Sequence, residues 1–204
     1  MWRAASVARG DALVFADTDT VDFAPSLVTG VLGPLLSDPE IRLVKWSFER
    51  PFQAGGERLP AEGGRVTELV ARPLINLRFP GLAGLEQPLA GELAIDRDLF
   101  ERLQVPVGYG VEIAMLIDAL REVGLDRMAQ VDLGSRQNRH QPLRELSRMA
   151  HQVLIAVENR ARPASQPSGR FIPQPRDLLE TLSLEVSERP ALLSLGSEGR
   201  VAVG

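Results

Sequence analysis

A chain of 204 residues has room for one domain with an appendage and can bury a real core. Its 44% hydrophobic and 25% charged content is ordinary for a soluble globular protein, and a net charge of −4 argues against a general nucleic-acid binder. The absence of cysteine excludes disulfides and thiolate metal sites. No apolar run approaches the ~20 residues that span a bilayer, and the N-terminus carries no signal-peptide core, so a cytoplasmic protein without membrane partners is the expectation.

Met1 to Ala5 reads as the last turn of a helix, and Gly10 leads into a strand from Ala12 to Ala16. That strand stops at Asp17-Thr18-Asp19. Pro25 is placed as a first helical residue, with Leu27, Val28, Val31, Leu32 and Leu35 on one face, and Gly33-Pro34 should kink or shorten this helix. Ile41 to Phe48 reads as a second strand and Gln53 to Gly64 as a loop. From Arg65 helical spacing returns, with Val66, Leu69, Val70, Leu74 and Leu77 on one side. Gln87 to Gly91 is a turn entering a short strand at Glu92 to Ile95, and Asp96 caps a short helix through Leu103.

The clearest helix follows Gly108-Tyr109-Gly110, carries Ile113, Leu116, Ile117, Leu120 and Val123, and ends at Gly124. Met128 to Leu133 is a further strand, and after a basic turn a long helix runs from Pro142 to about Arg160. Ala161 to Arg176 has linker composition, Asp177 to Leu184 reads as a short helix, and the Arg189-Pro190 tail as an arm packed on its own or a partner subunit. Strands alternating with helices predict an α/β fold with a mixed, mostly parallel sheet.

Four polar turns fall where a strand ends or a helix begins. Asp17 and Asp19, two apart beyond a strand's carboxyl end, can offer oxygens to one hard divalent cation that in turn holds a diphosphate, or can be a solvated turn. Gly64, Arg65 and Thr67 open a helix, where unpaired N–H groups, a guanidinium and a hydroxyl suit a phosphate or carboxylate; the alternative is an ordinary surface turn. Tyr109 stands between Gly108 and Gly110, which let a ligand approach the backbone, and Glu112 can face a substrate hydroxyl or be a first-turn acid favoured by the helix dipole. Arg136-Gln137-Asn138-Arg139-His140 suits a diphosphate or a metal, or is a solvated basic turn. His151, on an amphipathic helix, is read as an ordinary packing residue.

Gly63 to Leu74 (G-G-R-V-T-E-L-V-A-R-P-L), Gln87 to Glu92 (Q-P-L-A-G-E), Gly108 to Ile113 (G-Y-G-V-E-I) and Arg136 to Leu143 (R-x-x-R-x-Q-P-L) stand in the same order as in the glucosyl-3-phosphoglycerate synthases, glycosyltransferase family 81. The chain resembles that family from Met1 to about Arg160, and the Glu188-Arg189-Pro190 tail is similar too. The resemblance implies a GT-A fold, a magnesium or manganese ion, a homodimer, and retaining transfer of glucose from UDP-glucose to the 2-hydroxyl of 3-phosphoglycerate.

Carried over position by position, it implies that Asp17 touches the nucleotide and Asp19, the acid of the D-x-D motif, binds the metal and shares catalysis with Glu112. Tyr109 and Glu112 face the glucosyl group, Arg136 neutralises phosphate charge, and Gly64, Arg65, Thr67 and His140 hold the acceptor. The family's metal histidine falls at Asn138, while His140 stands where Asn or His commonly sits, so the metal's second ligand is Asn138 or His140. The expected organisation is a partial GT-A catalytic domain at 1–162, lacking the family's first nucleotide-binding strands, and a linker with a C-terminal arm at 163–204. A chain so truncated is expected to associate through its exposed sheet edge and to turn over UDP-glucose at a negligible rate on its own. Two other readings stay open: a mannosyl-3-phosphoglycerate synthase using GDP-mannose, and a non-catalytic remnant that binds phosphoglycerate or a full-length subunit.

Overall fold

The computed structural model describes residues 1–17, 23–49, 52–54, 57–59, 64–135, 141–161, 170–171, 182–183 and 188–195. A short helix α1 (Trp2–Val7) precedes strand β1 (Ala12–Phe15). Helix α2 (Pro25–Ser37) leads to β2 (Leu43–Glu49), and β3 (Phe52–Ala54) pairs with β4 (Glu57–Leu59) as an antiparallel ladder. A π-helical turn at Thr67–Ala71 runs straight into α3 (Arg72–Arg78). Next come β5 (Leu93–Asp96), α4 (Arg97–Arg102), β6 (Val105–Pro106), α5 (Val111–Val123), β7 (Met128–Ser135) and α6 (Leu143–Ala161). Among the described residues, the two-residue strands β8 (Arg170–Phe171), β9 (Leu182–Ser183) and β10 (Glu188–Arg189) follow, and then a 3-10 turn at Leu192–Leu195. No helix among the described residues is long and apolar enough to cross a membrane.

The main sheet has the order β1–β5–β2–β7. Leu13 faces Ile95 and Leu43 faces Ile95 from the other side, both pairings antiparallel, whereas β2 and β7 run parallel with Leu43 beside Met128. The sheet is therefore mixed, as expected, but among the described strands two of the three pairings are antiparallel rather than most being parallel. Alternation of strands and helices does not encode the direction of one reversed strand. β5 is reversed because it enters from the Gln87–Gly91 turn, at the edge where β1, β2 and β7 end. The Arg42–Asp96 ion pair, 2.6 Å, pins its far end.

Each face of the sheet covers its own core. Leu13, Leu43, Leu93, Ile95, Phe100, Ile113 and Leu116 fill one, and Val44, Trp46, Phe48 and Ala94 meet Val31 of α2 on the other. Alternation along β2 thus places Lys45 and Ser47 on the face of Leu43, both buried. α2 continues through Pro34 to Ser37, so Gly33-Pro34 does not shorten it.

Three other expectations change. The predicted Gln53–Gly64 loop contains β3 and β4, whose separation by Gly55-Gly56 is a hairpin-type spacing. On the helix after Arg65, Leu69 and Leu77 are exposed while Thr67, Ala71 and Ile75 are buried, because the π-helical turn rotates the inward face by about one position. Leu182–Ser183, predicted helical, pairs with Arg170–Phe171 as strand; the rest of the predicted Asp177–Leu184 helix lies outside the described residues.

The arm packs on its own chain. Glu188 and Arg189 pair with Pro106 and Val105, and the Trp2 Nε1 donates to the Pro190 carbonyl at 2.9 Å. The buried Arg160 of α6 ties this together, donating to Asp118 of α5 at 2.6 Å and to Glu188 at 2.8 Å. Burial pushes the Asp118 carboxyl above its ordinary range, and the Glu188 charge adds to this against the pull of Arg160. Arg160→Met would leave two neighbouring acids without their shared cation, and is expected to cost about 3–5 kcal/mol in urea unfolding. A loss below about 1 kcal/mol would place the pairing among inconsequential surface ion pairs.

Candidate functional site

The carboxyl ends of β1, β2 and β7 lie along one edge, together with the start of β5. In open α/β sheets this edge is where ligands bind. Asp17 sits two residues past β1 with its carboxylate against the Gly91 backbone, so close that a Cβ built at Gly91 would collide with Asp17 Oδ1. Gly91 is held in turn by β2, because the Lys45 ammonium, 1% exposed, donates to the Ala90 carbonyl. Gln87 Nε2 donates to the Phe48 carbonyl at 3.0 Å and anchors the same turn at its other end.

Glu112 stands in the first turn of α5, behind the cap residue Gly110. Burial pushes its carboxyl from 4.5 up to about 7, opposed by its own backbone N–H and the Lys45 charge and reinforced by the Asp17 charge. Asp17, Lys45 and Glu112 thus form one electrostatic group that combines the first and third predicted turns. A carboxyl that titrates near neutrality can exchange a proton or bear charge at working pH.

The glycines of the third turn make room for a neighbouring helix. Gly108 has φ +88°, and a Cβ there would strike Gln152 Oε1 of α6. A Cβ at Gly110 would lie 2.6 Å from the Ala156 Cβ. They admit α6, whose Gln152 Oε1 accepts from the Tyr109 N–H at 2.7 Å, leaving the Tyr109 ring 53% exposed. Sequence reasoning missed both Lys45 and Gln152. A charge between the apolar Val44 and Trp46, in the middle of a strand, was the signal for Lys45; Gln152, on a long helix, carried none.

Gly64 has φ +73°, which glycine adopts without strain, and it delivers the chain into the helix that starts at Arg65. Arg65 Nη2 donates to the Gln141 carbonyl at 2.8 Å, so the second predicted turn meets the end of the fourth. Thr67 is 2% exposed and belongs to the π-helical turn rather than the surface. Asp19, Arg136, Asn138 and His140 lie outside the described residues, and no cluster of three or more His, Cys, Asp or Glu able to hold a metal occurs among the described ones. His151 is half-buried, and burial lowers its pKa, which keeps the ring neutral, in line with an ordinary packing role.

Because the folded-state value of Glu112 is raised, the native protein holds this proton more tightly than the unfolded chain. The resulting stability is complete below about 4.5 and is lost as pH rises to about 7. Glu112→Gln should flatten the stability profile over this window, removing a loss on the order of 2–3 kcal/mol read by urea unfolding. Parallel profiles for the two proteins would show that Glu112 ionises normally.

No protein-family model matches the chain. It is 44% identical over 163 residues to the glucosyl-3-phosphoglycerate synthase of Mycolicibacterium paratuberculosis, covering 78% of this chain and 50% of that protein. The crystal structure of glucosyl-3-phosphoglycerate synthase from Mycobacterium tuberculosis in complex with Mn2+, UDP-glucose and phosphoglyceric acid is similar with a TM-score of 0.81 at 39% identity, over 95% of this chain and 64% of that one. Mannosyl-3-phosphoglycerate synthase from Rubrobacter xylanophilus is similar with a TM-score of 0.82 at 44% identity, over 96% and 66%. The chain spans about half the length of the first of these relatives. By sequence and by fold the chain is similar to the glucosyl-3-phosphoglycerate synthases over most of its own length, and it shares their GT-A fold.

Proposed function

We propose that this chain carries the metal, diphosphate and acceptor side of a retaining glycosyltransferase that moves glucose from UDP-glucose to the 2-hydroxyl of 3-phosphoglycerate. The observation that carries the reading is the likeness, over nearly the whole chain, to a synthase crystallised with Mn2+, UDP-glucose and phosphoglyceric acid. Residues 1–162 form the catalytic part and 163–204 the linker and arm, and the protein works as a cytoplasmic homodimer.

The oxygen-rich donor set suits magnesium or manganese: Asp19 with Asn138 or His140 as ligands, and the Asp17 carboxylate held ready at the strand end. A cation there offsets the negative charge that grows on the departing diphosphate. Arg136 adds a guanidinium to the same purpose. On the acceptor side Arg65, with Gly64, Thr67 and His140, supplies local positive charge and hydrogen bonds for a strongly anionic phosphoglycerate within an acidic protein. Tyr109, held through its backbone by Gln152, and Glu112 face the glucosyl group between them. A Glu112 carboxyl poised near neutrality can hold or release a proton next to the sugar hydroxyls.

Two measurements test this. In the purified protein with Mg2+ and 3-phosphoglycerate, UDP release from UDP-glucose should exceed GDP release from GDP-mannose. The reverse preference would make it a mannosyl-3-phosphoglycerate synthase, and acceptor binding without release of either nucleotide would leave only a binding role. Calorimetry with 3-phosphoglycerate should show Arg65→Ala binding about ten- to a hundred-fold more weakly, the loss of a charge-assisted contact. Equal affinities would remove Arg65 from the acceptor site.

A further inference from the structure

Among the described residues, the Gln87–Gly91 turn brings the Gly91 backbone against the Asp17 carboxylate, and several groups hold that turn and the residue before it. Lys45 donates to the Ala90 carbonyl, Gln87 Nε2 to the Phe48 carbonyl at 3.0 Å, and Arg72 Nη2 to the Glu86 carbonyl at 2.9 Å. Lys45 does so from inside the core: it is 1% exposed, opposite Leu93 on β5 and Gln130 on β7, and the buried Ser47 on the same sheet face donates to the Glu86 carboxylate. A buried ammonium is costly unless it is paired and hydrogen-bonded, and an apolar residue of similar length would fill the same space without that cost. The Glu112 carboxyl lies within its electrostatic reach, and the Asp17 charge acts on that same carboxyl.

Resting on the transferase reading, we propose that Lys45 is a positioning residue for the reaction. Its ammonium clamps the Ala90–Gly91 backbone against the Asp17 carboxylate and supplies a fixed positive charge that lets Asp17 and Glu112 stand close together. Lys45 touches no substrate. It acts by fixing where the Asp17 oxygens point, and Gly91 transmits that position because its lack of a side chain permits the contact.

The test compares Lys45→Met, which keeps the bulk of the chain and removes the charge, with Gly91→Ala, which keeps Lys45 and displaces Asp17. With UDP-glucose, Mg2+ and 3-phosphoglycerate, each should lower kcat about ten- to a hundred-fold at an unchanged KM for 3-phosphoglycerate, the size of one charge-assisted hydrogen bond. Amide exchange at residues 87–92 should also accelerate in Lys45→Met. If that variant does not fold, Lys45→Gln, which retains a donor without charge, replaces it with the same readouts. A lower melting temperature with kcat within about twofold of wild type would show Lys45 to be structural only and overturn the proposal. Unchanged exchange at 87–92 would overturn it as well. If the wild-type protein transfers no glucose, the transferase reading fails alone, and the exchange measurement still decides whether Lys45 holds the turn.

Discussion

Asp17 and Gly91 meet where β1 ends and β5 begins, and the contact leaves no room for a side chain on Gly91. Much of the architecture converges on that contact. β5 must run against its neighbours so that its first residues reach the edge where the parallel strands finish. The turn before it must be held from β2, which is why a lysine occupies the middle of a strand buried on both faces. Displacing the turn would move the carboxylate.

A second constraint acts from the other side. α5 and α6 pack closely because Gly108 and Gly110 present no side chain to Gln152 and Ala156. That packing sets the height of the α5 N-terminus, and with it the depth at which Glu112 is buried. Arg160 then ties α6, α5 and the C-terminal arm into one unit, and the arm pairs with β6, two residues ahead of Gly108. The loop bearing Tyr109 is thereby braced from both ends, which suits a residue with an exposed ring and an anchored backbone.

Much of this was legible in the sequence. The strand ending at Asp17, the Asp96 cap, which accepts from Leu99 N–H at 3.0 Å, and the α5 helix closed by Gly124 all follow from local rules of capping and periodicity. The joint order of four polar motifs pointed to a transferase fold where D-x-D alone could not. Other features depend on partners distant in sequence, and local patterns do not record them. The reversal of β5, the π-helical turn that exposes Leu69 and Leu77, and the strand pairing of Arg170–Phe171 with Leu182–Ser183 are of this kind. The glycines of G-Y-G illustrate this best, since close approach to the backbone was legible while the packing of α6 against it was not.

The central claim is that the strand-end acid Asp17, Glu112 and the acceptor-side helix start at Arg65 surround one site, close to where metal and nucleotide bind. Paramagnetic broadening of backbone amides by Mn2+ with UDP, referenced to Mg2+ with UDP, tests it directly. Signals of Asp17, Gly91, Glu112 and Arg65 should be lost, while those of Gly124 and Leu125, before the start of β7 at the opposite edge, stay sharp. Broadening at Gly124 and Leu125 with the four site amides unaffected would contradict the account.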